Sequence, residues 1–139
     1  MDKKKKKSNL LSFKKINSLE ESEILIKDIF WLFMVVGLIL IGIGLLFFFF
    51  DKTQLTFGFI GDGFIYTILS LFFYFKKSRI AATVLLIVSA IGVITTTMAN
   101  FGFYEGGKNI FLAILVFIGG IHSVRATFAY HRLANKKRT

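Results

Sequence analysis

The 139-residue chain contains no cysteine and no proline. Without cysteine it can build no disulfide framework, no thiolate metal site, no CxxCH haem attachment and no lipidated thiol. Its two histidines, His122 and His131, are too few for a histidine-built metal site, and no cofactor is expected. Proline's absence removes the commonest cause of helix kinks and leaves glycine as the remaining breaker. Charge is also scarce, at 19% of residues against roughly 25% in soluble domains. Acids are the scarcer sign: 8 Asp and Glu stand against 18 Lys and Arg, a net charge of +10.

What the chain does have is apolar surface. Hydrophobic residues make up 55% of it and phenylalanine alone accounts for 18 positions. A domain this small cannot enclose so much, because much of its surface stays in water; lipid can take the surplus. Crossing roughly 30 Å of hydrocarbon needs about 20 helical residues, and four runs satisfy that: 29–50, 57–75, 80–99 and 109–129. The expected architecture is an all-α, four-helix transmembrane bundle running up-down-up-down. A basic N-terminal segment (1–28), the membrane domain (29–130) and a basic tail (131–139) divide the chain. Ser18-Leu19-Glu20-Glu21 has the S-x-x-E form of a capping box, so the first helix is expected to begin at about Leu19. The 22-residue run from Ile29 to Phe50 exceeds the apolar core of a signal peptide, and this span is expected to persist in the mature protein.

Basic residues in short loops are retained on the cytoplasmic side. The N-terminal segment carries eight (Lys3 to Lys7, Lys14, Lys15, Lys27), the middle connection three (Lys76, Lys77, Arg79) and the C-terminal region five (Arg125, Arg132, Lys136, Lys137, Arg138). The other side has only Lys52 and Lys108, a split of 16 to 2 that predicts both termini in the cytoplasm of a bacterial inner membrane. Distributed this way, the charge is a topology signal, and no nucleic-acid partner is expected. The Lys3 to Lys7 run can also attract anionic lipid head groups at the cytoplasmic face. A faint repeat links Phe57-Gly58-Phe59 with Phe101-Gly102-Phe103, 44 residues later, each followed by an acid, glycine and an apolar helix. It implies two duplicated helical hairpins.

Membrane helices associate through small residues and buried polar contacts. Ala82, Ser89, Gly92, Thr96 and Ala99 fall on one face of helix 3, and Gly37 and Gly44 lie seven apart on helix 1; these are the expected packing surfaces. On that basis Gly92→Ile should weaken the bundle. Helix 2 must begin near Leu55 or Phe57 to be long enough, which sets Asp62 about 7–10 Å along it. An ionisable residue at such depth is a candidate functional group. Its plainer role is to complement a helix N-terminus among the head groups, paired with Lys52 or Lys108. On helix 4, His122, Arg125, Ala129 and Arg132 share a face while His131 points away. His122 and Arg125 lie deeper than the cytoplasmic boundary. Arg125 and Arg132 are candidates to bind an anionic lipid or a partner's carboxylate, with Asp28 at a suitable depth to pair with Arg125.

No nucleophile, base and acid meet at one depth, because Asp62 and Glu105 lie towards the outside and both histidines towards the inside. The chain is therefore expected to be no enzyme. It reads as an accessory, regulatory or assembly partner with a membrane protein or another copy of itself. The rival reading is a homo-oligomeric transporter or pore lined by Asp62, with a holin-like or toxin-immunity role behind both.

Overall fold

The computed structural model describes residues 13, 15–50, 54–103 and 109–138, with side chains for all but 54–56 and 138. Lys3 to Lys7, Lys14, Lys52, Glu105 and Lys108 lie outside the described residues, as does most of the second half of the proposed repeat. Four helices account for nearly all of what is described: α1 (Leu19–Phe50), α2 (Gln54–Lys76), α3 (Arg79–Asn100) and α4 (Ile110–Arg138). There is no strand among the described residues. Each helix contains a stretch long and apolar enough to cross a membrane, consistent with an integral membrane protein.

Local chemistry fixes the helix ends. The Ser18 hydroxyl accepts the Glu21 N–H at 3.1 Å, and the Glu21 carboxylate accepts the Asn17 N–H at 3.0 Å. This is a capping box shifted by one residue on its return arm. Between α2 and α3 the chain turns on Lys77 and Ser78. Lys77 takes the left-handed conformation, φ 46°, and Ser78 caps α3 by accepting the Ala81 N–H at 3.3 Å. At the end of α3, Gly102 (φ 80°) donates to the Ala99 carbonyl and Phe103 to that of Met98, both at 3.1 Å. These are the paired bonds of a Schellman ending, whose left-handed position suits glycine. Asn109 caps α4 through its side-chain oxygen, which accepts the Leu112 N–H at 3.1 Å. Nothing stops α4 at residue 129: it runs to Arg138, so the tail is, up to that residue, the last turns of the helix.

The two FGF segments fall in different places. Phe57-Gly58-Phe59 lies inside α2, whereas Phe101-Gly102-Phe103 forms the ending of α3.

Contacts between α1 and α2 pair residues in reverse order, as antiparallel neighbours must. Glu23 meets Lys77, Phe30 stacks on Tyr74, Gly37 faces Gly63 and Phe47 meets Phe59. In α3 and α4, Ala82 pairs with Ser123 and Ser89 with Gly120 in the same sense. The two hairpins join where Gly119 of α4 packs on Leu32 and Phe33 of α1. Between α2 and α3 the contact is sparser, with the Tyr66 hydroxyl beside Gly92, and the α1 and α3 Cα atoms stay more than 8 Å apart among the described residues. The core gathers Ile26, Ile29 and Phe33 of α1, Phe73 of α2, Leu85 of α3 and Ala126 of α4. All lie in the half of the bundle that bears the α2–α3 turn. At the opposite end Phe49, Phe50, Phe57, Phe101, Phe103 and Phe111 form an exposed rim.

Candidate functional site

Hydroxyls in the interior turn inward and bond to backbone. Ser70 donates to the Thr67 carbonyl and Ser89 to that of Leu86, each at 2.8 Å. Ser123 sits between the Ala82 carbonyl of α3 at 3.1 Å and its own helix's Gly120 carbonyl at 2.7 Å, a polar link across the α3–α4 seam. Thr127 donates to the Ser123 carbonyl at 2.8 Å. Such bonds satisfy each hydroxyl where no water reaches and tie it to a helix.

His122 lies next to Ser123 and is wholly buried. Its Nδ1 is 3.2 Å from Nη1 of Arg125. Arginine can only donate, so Nδ1 is the acceptor and the neutral ring carries its proton on Nε2. That Nε2 is buried and has no hydrogen-bond partner among the described residues. Phe13 closes over the pair: its ring centroid is 4.8 Å from that of His122, and its carbonyl accepts from Nη2 of Arg125 at 3.0 Å. The guanidinium also lies over the Phe13 ring, 5.3 Å from its centroid. The chain ahead of α1 is thus strapped across α4.

Beside this strap is a cleft of about 420 Å³ lined by Lys15, Ile16, Arg79, Arg125, Phe128, Ala129 and Arg132. Among the described residues, four lining side chains are cationic and none is acidic. Arg79, at the start of α3, stacks over Phe128, 4.9 Å from the ring centroid.

A second cluster holds the α2–α3 turn. Lys77 Nζ is 2.7 Å from the Glu23 carboxylate and 4.0 Å from the centroid of Tyr130, and its carbonyl lies 2.9 Å from Nε2 of His131. The left-handed lysine is therefore held from α1 and α4 together. Burial works against its charge, but hydrogen bonds to Glu23 and Tyr130 outweigh it and raise the Lys77 pKa above its usual 10.5.

His122 and Arg125 come together, and Arg132 shares the cleft with Arg125. Asp62 lies elsewhere, exposed on α2. Gly37, Gly44, Ala82, Ser89 and Ala99 are buried, while Gly92 and Thr96 are half-buried. A Cβ on Gly92 would meet only the Tyr66 hydroxyl, at 3.6 Å, so the close approaches are elsewhere. One is Gly63, where a Cβ would come within 2.7 Å of the Gly37 carbonyl, and another is Gly120, pressed against Ser89. Sequence reasoning passed over Gly63, Gly119 and Gly120, although each is a small residue in an apolar run. It also treated Lys15, Arg79 and Lys77 as topology markers and did not single out Glu23. His131 does point away from the face of His122, as its position on the helix requires, and the α2–α3 turn comes to meet it.

Among the described residues no group of three or more His, Cys, Asp or Glu side chains is placed to hold a metal ion. No protein-family model matches the chain, and neither a curated protein nor a solved structure does.

Proposed function

We propose that this chain is a non-enzymatic integral membrane protein that serves as an accessory, regulatory or assembly partner, with both termini and the α2–α3 turn in the cytoplasm of a bacterial inner membrane. One observation carries the reading. The buried hydroxyls of the bundle are bonded to helix carbonyls, Ser123 across the α3–α4 seam and the others within their own helices, while the described charged groups in mutual contact gather at a single end. Hydroxyls bonded in this way are satisfied within the protein, and an end of that kind presents charge to something outside. The positive-inside rule gives the orientation. Nucleic acid is no part of the reading, because the basic residues flank apolar spans.

Affinity purification of the tagged chain from its native membranes in mild detergent is expected to recover a stoichiometric membrane-protein partner. A homo-oligomeric transporter or pore is the competing reading, favoured by the exposure of Asp62 within the α2 span, near open space at Gly58 and Gly61. Recovery of the chain alone, together with solute flux in reconstituted vesicles that Asp62→Asn abolishes, overturns the accessory reading. No flux above that of empty vesicles removes the rival. Growth arrest on induced expression, with no partner recovered, favours a holin-like or toxin-immunity role.

A further inference from the structure

The four cations of the cleft come from three separate parts of the chain. Lys15 belongs to the strap, Arg79 to the first turn of α3, and Arg125 and Arg132 to α4, two turns apart. Like charges gathered this closely repel one another, and an anion in their midst relieves that repulsion. Two of the guanidiniums are already positioned. Arg79 rests on Phe128, and Arg125 is held by the Phe13 ring, the Phe13 carbonyl and His122. Their planar donor forks match the oxygens of a phosphate and lose little freedom on binding it. The remaining wall is apolar, made of Ile16, Phe128 and Ala129. The volume, about 420 Å³, lies in the roughly 300–1,000 Å³ range of small-molecule sites. A phosphate needs only the cations; a phosphate attached to glycerol and acyl carbons uses the apolar wall as well.

We propose that this cleft binds the phosphate of an anionic phospholipid, gripped by Arg79, Arg125, Arg132 and Lys15, with the lipid's apolar portion against Ile16 and Phe128. The site deepens the reading of the chain as a membrane protein with this end at the cytoplasmic leaflet, and it rests on that reading. Basic recesses between membrane helices on that side are suited to phosphorylated head groups.

Native mass spectrometry of the full-length protein in neutral detergent tests it, with phosphatidylglycerol and phosphatidylcholine of identical chains as probes. The protein is expected to retain one phosphatidylglycerol where phosphatidylcholine is lost, and inorganic phosphate is expected to compete weakly. The double variant Arg79→Gln/Arg132→Gln should lower retention about tenfold or more, since each charge-assisted fork is among the stronger polar contacts. Lys136→Gln/Lys137→Gln removes the same charge from the same end outside the cleft and should stay close to the parent. Arg79→Lys/Arg132→Lys, keeping charge without the fork, should fall between, and circular dichroism checks that each variant remains helical. Equal retention of both lipids, or equal loss in the two glutamine pairs, overturns the proposal. Tight binding of inorganic phosphate with no lipid preference keeps the phosphate chemistry and overturns the lipid source. Recovery of the chain in the soluble fraction overturns the membrane reading itself, whereas a membrane-bound chain that retains neither lipid overturns only the site.

Discussion

Lys77 ties α1 and α4 to the α2–α3 turn at the closed end of the bundle, the end that bears this turn. It holds a left-handed backbone, φ 46°, that non-glycine residues adopt at a cost of about 1–2 kcal/mol. The 2.7 Å bond to Glu23, the contact with Tyr130 and the bond between its carbonyl and His131 offset that cost. Because the folded pKa of Lys77 is raised, the pair stabilises fully below the unfolded value of 10.5 and is lost as pH rises through the higher folded value. Glu23→Gln should therefore lower detergent melting at neutral pH by the about 0.2–1 kcal/mol typical of a partly exposed pair. The gap to the parent should close at strongly alkaline pH. If it persists there undiminished, the charge of Lys77 is not its source. Glycine makes a sharper contrast. At Gly63 an added methyl meets backbone, the Gly37 carbonyl at 2.7 Å and the Ile41 N–H nitrogen at 2.9 Å, and backbone cannot swing aside. Gly63→Ala is expected to destabilise by about 1–3 kcal/mol, the scale of overpacking. Gly92→Ala, with only the Tyr66 hydroxyl near it at 3.6 Å, should be neutral or slightly stabilising through helix propensity. Equal melting of the two variants would place the α1–α2 crossing elsewhere.

Individual helices were legible in the sequence to different depths. Their existence followed from apolar length, and the start of α1 from Ser18 and Glu21, because both signals are local. Ser18→Ala should accordingly cost about 1 kcal/mol, the usual value of an N-cap, and fray the first turn, where hydrogen exchange at Glu20 to Ser22 reads the change. Exchange unaltered in that turn would mean the Glu21 side chain alone holds the start. The ending of α4 was not legible, since Tyr130 to Arg138 is polar and a polar run can be a tail or a helix that has left the lipid. Its contacts with the α2–α3 turn, through Tyr130 and His131, are long-range and leave no local trace. Helix pairing was hidden for a related reason. Lipid and bundle interior are both apolar, so a membrane helix carries no hydrophobic stripe saying which face meets protein. Small residues are the remaining clue, and they are ambiguous: Gly42 and Gly58 face open space while Gly37 and Gly63 face each other. The cleft shows the same limit. Arg125 and Arg132 were visible as a pair on one face of α4. Lys15 and Arg79 join them only because the strap and the start of α3 fold against that face.

For the molecule as a whole, the closed end, the strap and the cleft all coincide with the basic side of the charge map, and the phenylalanine rim lies on the other. On the proposed four-span topology, sixteen basic residues fall on one side against two on the other, a strong bias for short flanking segments. The chain's lack of cysteine makes this orientation directly measurable, since any thiol introduced is the only one present. Lys137→Cys tags the exposed last turn of α4 and Phe103→Cys the exposed segment after α3. A membrane-impermeant maleimide applied to intact spheroplasts is expected to label Phe103→Cys and to leave Lys137→Cys untouched until the membrane is permeabilised. The reverse pattern would invert the molecule. The cleft would then face the outer side, where the cytoplasmic leaflet's anionic surface potential is absent. Labelling of both sites in intact spheroplasts would mean that α4 does not cross between them or that both orientations coexist, and a four-span bundle of single orientation allows neither. Outside labelling confined to Phe103 leaves α4 as the element that carries the chain from the rim to the cleft, with Arg125 and Arg132 held at the cytoplasmic head groups.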